Sequence, residues 1–236
     1  MDVAVEGNDP LLGGFYTVKE AARLLRIDNR QRIYRWLRPL EPGSNRGLRA
    51  VVQRDYEPLG NWQELSFWDL IEVRFVEHFR RQGLSLQYLR KVAEKARHEF
   101  KTQHPFALSH AEFLTDRKKI FEQVAEEEGK KIREILTGQY EMYATIERIL
   151  AKGLAFNPRT YLAEEWRPLE NECPHVVVNP KYDYGRPVIG SPHVPTAAIF
   201  RQWKAEKGDI ARVADWWGVE PGEVEEAIEF EVRMAA

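Results

Sequence analysis

Apolar positions in the first hundred residues recur at helical spacing and are punctuated by residues that stop and restart helices. Val18, Ala21, Ala22, Leu24 and Leu25 form one apolar helical face. Thr17 precedes this face and Glu20 follows three residues on, a pair that predicts a capping box. The helix is expected to stop near Arg26. Asp28 or Asn29 can cap a second helix, with Ile33, Trp36 and Leu37 inward and Pro39 and Pro42-Gly43 at its end. Residues 48–54 read as a strand, 58–61 as a turn, and 62–65 as the returning strand of a hairpin. Ser66 with Asp69 caps a third helix that carries Phe67, Leu70, Ile71, Phe75 and Phe79, and Gly83 breaks it. Ser85 starts a fourth helix, in which Leu86, Leu89, Ala93, Ala96 and Phe100 form a seam. Such a seam can pack on its own domain or on a second copy of the chain.

The pattern weakens beyond His104. Phe113 to Thr115 and Ile120 to Val124 flank a polar Asp116-Arg117 turn, a hairpin signal. Met142, Tyr143, Ile146, Ile149 and Leu150 have helical spacing, and short strands are expected at 154–156, 162–166 and 176–178. The last segment is helical again. Pro195-Thr196 opens a helix that Gly208 closes; Asp209 caps a second, which ends at Trp217-Gly218. Pro221 suits the first position of a third helix, lined inside by Val224, Ala227, Ile228 and Val232.

These elements predict an α+β fold, mainly α, in four stretches. Residues 1–14 read as a flexible tail. Residues 15–103 read as a winged helix-turn-helix with added helices, because two short capped helices and a tight turn precede a hairpin. Residues 104–175 form a small α+β subdomain, and 176–236 a C-terminal three-helix module.

Charge sharpens the picture. The net charge of the 236 residues is only −2. Yet residues 15–54 hold ten Lys/Arg against three Asp/Glu, and residues 104–236 hold 17 against 23. The first end suits an anionic partner. Outward positions around the second helix include Arg30, Gln31, Arg32, Tyr34, Arg35 and Arg38. Gln can bond adenine bidentately and Arg can do so to guanine in the major groove. Thr17 and Lys19, at the start of the first helix, are placed for the phosphate backbone, and Arg46, Arg49 and Arg54 lie on or beside the hairpin. Double-stranded DNA is the expected partner of this end, bound as a homodimer on two half-sites.

This stretch resembles the MerR-like winged-helix family. The likeness is carried by residues 16–25 (YTVKEAARLL), 33–37 (IYRWL), 65–72 (LSFWDLIE) and 83–90 (GLSLQYLR). One residue more than the family pattern stands ahead of Ile33, and Trp36 occupies a place where tyrosine is common. Residues 176–231 resemble the domain of unknown function 433 found in VapB-like antitoxins. The likeness rests on Gly185-Arg186-Pro187-Val188-Ile189, followed by Val194-Pro195-Thr196. His193 stands where that family leads one to expect arginine.

The second resemblance implies an antitoxin of a type II toxin–antitoxin system. Its N-terminal part would repress the shared operon, and its C-terminal part would silence a PIN-like nuclease toxin. Arg186, His193, Glu223, Glu226 and Phe230 are the candidate partner contacts. Glutamates crowd the last helix, so a second DNA reader there is rejected. The alternative is a MerR-like transcriptional regulator with a small-molecule-sensing C-terminal region, for which the aromatic-rich segment 140–166 could line a pocket.

Catalysis finds no support. The sequence has no phosphate-binding glycine loop, no dinucleotide fingerprint and no nucleophile elbow. Cys173, the only cysteine, stands with His175, short of the three or four ligands of a zinc site. No cofactor or metal is expected. A single cysteine, the absence of an apolar span of roughly 20 residues, and an acidic N-terminus without an apolar run lead to the expectation of a cytoplasmic protein.

Overall fold

The computed structural model of the chain describes residues 13–39, 49–57, 63–108, 120–126 and 152–235. The expected tail up to residue 12, Arg46, the expected turn over 58–61, the expected strand and turn over 113–117, and the helix over 142–150 lie outside these residues.

The N-terminal elements follow their capping residues. Strand β1 (Tyr16–Thr17) leads straight into helix α1 (Val18–Leu24). Thr17 caps α1: its hydroxyl accepts from the Glu20 N–H at 3.2 Å, and the Glu20 carboxylate accepts from the Thr17 N–H at 2.9 Å. Helix α2 (Gln31–Leu37) follows a short turn. Asn29 Oδ1 accepts from the Gln31 N–H at 3.0 Å, so asparagine orders that start although the cap position itself is Arg30.

The hairpin departs from expectation. Among residues 49–54 there is no strand, and Val51 and Val52 are wholly buried. The guanidinium of Arg97 holds the Val51 carbonyl at 2.5 Å, and the Val52 N–H donates to the Trp36 carbonyl at 3.2 Å. Strand β2 (Glu64–Leu65) pairs instead with β1, Tyr16 opposite Leu65. Two buried valines and a carbonyl-binding arginine draw this segment inward, where a ladder with its neighbour does not form.

Helix α3 (Phe67–Arg81) is the central element. Phe67, Leu70, Ile71, Val73, Phe75, Val76 and Phe79 are all buried, and so are Asp69, Glu72 and Glu77. The apolar side chains place this helix inside, and its buried acids are held by partners: Glu77 by Arg32 and Arg81, and Glu72 by the Phe106 N–H it accepts from. Helix α4 (Leu86–Phe100) buries Leu89, Ala93 and Ala96, so its seam is filled within its own chain. Residues 120–126 are helical where a hairpin strand was expected. Ile120, Phe121, Val124 and Ala125 are buried at one-turn spacing. Phe121 meets Phe79 at 5.2 Å, and its carbonyl accepts from the Tyr88 hydroxyl at 2.7 Å.

The other half is built on one antiparallel sheet. Strands β3 (Leu154–Phe156), β4 (Ala163–Trp166), β5 (Val177–Val178), β6 (Pro187–Ile189) and β7 (Val194–Pro195) lie in sequence order. Trp166 faces Val178 in the ladder, so the sheet runs across the boundary placed between residues 175 and 176. Helices α5 (Thr196–Ala205), α6 (Ile210–Trp217) and α7 (Pro221–Ala235) complete the C-terminal end. Asp209 and Gly218 act as expected: the first caps α6 through the Arg212 N–H at 3.0 Å, the second ends it in a left-handed turn at φ 64°.

The two halves are joined. The Tyr16 hydroxyl donates to the Gly185 carbonyl at 2.8 Å, and the Phe15 N–H donates to the Tyr184 carbonyl at 2.9 Å. Arg23 of α1 pairs with Glu231 of α7. One hydrophobic cluster extends from Tyr16 to Met234. Among the described residues, no helix is long and apolar enough to cross a membrane.

Candidate nucleic-acid interface

Helix α2 is held from beneath. Ile33, Trp36 and Leu37 are buried. Arg90 of α4 donates to the carbonyls of Arg35 and Arg38 at 3.2 and 3.3 Å. These bonds satisfy the end of a seven-residue helix that has little stability of its own. The opposite side is open: Arg30, Gln31, Arg35 and Arg38 are exposed. The acidic helix α7 meets α1 and leaves this side uncovered.

Not every expected contact is free to meet a phosphate. Arg32 is half-buried, 2.7 Å from a Glu77 carboxylate oxygen and with its guanidinium 5.5 Å from the Trp36 ring centre. Glu77 also binds Arg81 at 2.6 Å. Arg32 therefore ties α2 to α3 rather than reaching outward. The Thr17 hydroxyl is engaged in the cap, donating to Glu20 at 2.7 Å. Tyr34 and Arg54 are half-buried, whereas Lys19 and Arg49 are exposed. The structure thus leaves Lys19, Arg30, Gln31, Arg35, Arg38 and Arg49 presented to solvent.

The expected partner contacts separate in the same way. Arg186 is exposed, 3.8 Å from Asp183. His193 lies against the Tyr182 ring at 3.6 Å in a left-handed turn at φ 54°. Glu223 caps the start of α7 by accepting from the Glu220 N–H at 2.9 Å. Glu226 holds His175 Nδ1 at 2.7 Å. Phe230 is wholly buried in the core, which corrects its place among surface contacts. It falls on the apolar side of α7 with Val224, Ala227 and Met234, one turn from each neighbour.

Sequence reasoning missed a buried charge cluster. His104 Nε2 lies 2.8 Å from Asp55 Oδ1, and His104 Nδ1 lies 3.8 Å from Asp69 Oδ1. Asp69 Oδ2 accepts from the Ser66 N–H at 2.9 Å and the Asp55 N–H at 3.2 Å. The Ser66–Asp69 cap was legible as a local motif. Its use as one side of a histidine clamp has no local signal, since Asp55 and His104 stand 49 residues apart. Cys173 is buried, and burial pushes its thiol up to about 11, so it is no reactive thiolate.

Taken together, the described residues share one core, with an exposed cationic short helix at one end and a sheet followed by three helices at the other. No family model matches it, so neither family resemblance read from the sequence is shown as membership. A protein of Mycobacterium tuberculosis (strain ATCC 25618 / H37Rv) named "Putative antitoxin VapB45" is 25% identical over 228 residues, 91% of this chain and 92% of that protein. The X-ray crystal structure of Rv2018 from Mycobacterium tuberculosis aligns with a TM-score of 0.67 at 22% identity, over 90% of this chain and 96% of that one. That alignment shows a shared fold.

Proposed function

We propose that the chain is the antitoxin of a toxin–antitoxin pair and represses its own operon by binding duplex DNA through α2. The observation that carries the reading is the end-to-end likeness to "Putative antitoxin VapB45", 25% identical over 91% of this chain. The exposed row of Gln31, Arg35 and Arg38 supports the DNA-reading half, being of the residue types that bond guanine and adenine edges or phosphate. Two copies would occupy two half-sites. The C-terminal end would hold a protein toxin, a PIN-like nuclease, with Arg186 as its exposed basic contact. The chain acts by binding and carries out no reaction.

The test uses promoter DNA from the chain's own operon in a mobility-shift titration at fixed salt. Arg35→Ala with Arg38→Ala is expected to weaken binding by roughly 100-fold and to flatten the salt dependence. The melting temperature should be unchanged, since both side chains are exposed. Arg32→Ala should act differently, lowering the melting temperature through the lost Glu77 contact. Unaltered affinity in the Arg35/Arg38 double variant overturns the DNA assignment. For the other half, the adjacent nuclease-like product should co-purify with this chain and lose its activity at equal stoichiometry.

A further inference from the structure

An open cleft of about 380 Å³ separates α1 from the C-terminal end of the chain. Glu20 and Arg23 of α1 form one wall, Asp183 and Arg186 the next, and Arg201 of α5 and Glu231 of α7 the far side. Its volume lies in the range of small-molecule clefts.

Two of the three carboxylates of this cleft are committed. Glu20 closes the cap on Thr17. Glu231 binds Arg23 and accepts from the Thr196 hydroxyl at 2.6 Å. Asp183 stands 3.8 Å from Arg186, too far for a hydrogen bond, and its buried Oδ2 has no hydrogen-bond partner, so a ligand must place its anionic group on the arginine side of this acid. Arg201 has no ion-pair partner among the described residues. Two exposed guanidinium groups therefore face the opening without a hydrogen-bonded acid.

A second feature adds to them. Helix α5 starts in this cleft with Pro195 at its cap position and no capping side chain. Its first turn, Thr196 to Ala198, forms part of the wall. Two alanines there let a ligand approach the backbone closely. The N–H groups of a first helical turn are unused within the helix and carry partial positive charge. Leu24, Pro187 and Pro195 supply an apolar side for the rest of a ligand.

We infer that this cleft binds a small molecule bearing a phosphoryl group, held by Arg186, Arg201 and the first turn of α5. Two planar guanidinium forks and a helix start match a dianion with several acceptor oxygens. The apolar side accommodates a short organic body attached to it. The bound molecule would span α1 and the C-terminal end; an effect on DNA binding follows only under the function proposed above, whereas the site itself does not depend on that function.

The experiment is calorimetric titration of the full chain, without DNA, using glycerol 3-phosphate, inorganic phosphate and succinate. Glycerol 3-phosphate should bind at one per chain with a dissociation constant below about 1 mM. Arg186→Gln and Arg201→Gln should each weaken it by on the order of 10-fold with the melting temperature unchanged. Inorganic phosphate should bind more weakly, having no body to fill the apolar side. No heat with glycerol 3-phosphate up to about 10 mM overturns the site. Binding that both arginine variants leave intact overturns its location, and tighter binding of succinate overturns the phosphoryl assignment. Failure of promoter binding in the mobility-shift test leaves all of these readings standing.

Discussion

Replacing His104 by alanine is expected to lower the unfolding free energy by about 3–5 kcal/mol, the usual cost of breaking a buried ion pair from one side. The imidazole is 4% exposed and lies between Asp55 and Asp69. Burial alone would push its pKa down. The hydrogen bond to Asp55 and the charges of Asp69, Asp55 and Glu72 outweigh burial and hold it above 6.5. Burial raises the Asp69 carboxyl from 3.8 to about 7, against the opposing pull of His104. The two shifts have one sign: the folded cluster binds protons more tightly than the unfolded chain, so stability falls as pH rises. The His104 contribution is whole below pH 6.5 and is lost as pH climbs through the higher folded value. The Asp69 contribution is lost between pH 3.8 and about 7. Urea unfolding at about pH 6 and about pH 9 should show the parent chain more stable at the lower pH. In His104→Ala that difference should shrink. Asp69→Asn with His104→Ala, which removes both titrating groups, should abolish most of it, and an unchanged difference in that double variant would show that this cluster is not what titrates.

The second large effect is expected at Gly185, the turn against which β1 is anchored. Its φ is +87°, and an added Cβ would lie 2.1 Å from the Tyr16 hydroxyl oxygen and 2.8 Å from Cζ. Tyr16 is buried and bonded to the Gly185 carbonyl, so it has no free direction in which to retreat. The left-handed backbone costs alanine roughly 1–2 kcal/mol. Overpacking adds roughly 1–3 kcal/mol. Gly185→Ala should therefore lower the melting temperature by about 10 °C. Tyr16→Phe removes the hydroxyl that the new methyl meets. The double variant should be less damaged than the two single losses combined, a coupling that a thermal-melt cycle measures. A Gly185→Ala melt within about 2 °C of the parent would mean that the turn shifts freely.

These two sites also mark the limit of what local pattern reveals. Thr17, Ser66, Ser85, Asp209 and Gly218 act at their helix ends as the sequence implies, because a cap is made within three or four residues. The exposure of Gln31, Arg35 and Arg38 follows from helical spacing against Ile33, Trp36 and Leu37. The fate of Arg32 does not, since Glu77 stands 45 residues away. The histidine clamp and the Tyr16–Gly185 bond, 169 residues apart, are equally invisible to periodicity. Strand β2 contributes only two residues, too few to announce which neighbour it joins. Ile120 to Val124 misled because apolar residues in a short run fit a strand or a helix alike, and only the aromatic surface of α3 and α4 selects one.

Arg23 and Glu231, 208 residues apart, close a circuit between α1 and α7. Loss of the final turns would uncover the flank of α1 and take from the Thr196 hydroxyl its shorter bond, leaving only the Pro187 carbonyl at 3.4 Å. The last turns of α7 thus act as a clasp on the flank of α1, and trimming them should lower the melting temperature of the chain as a whole rather than fray one end of it.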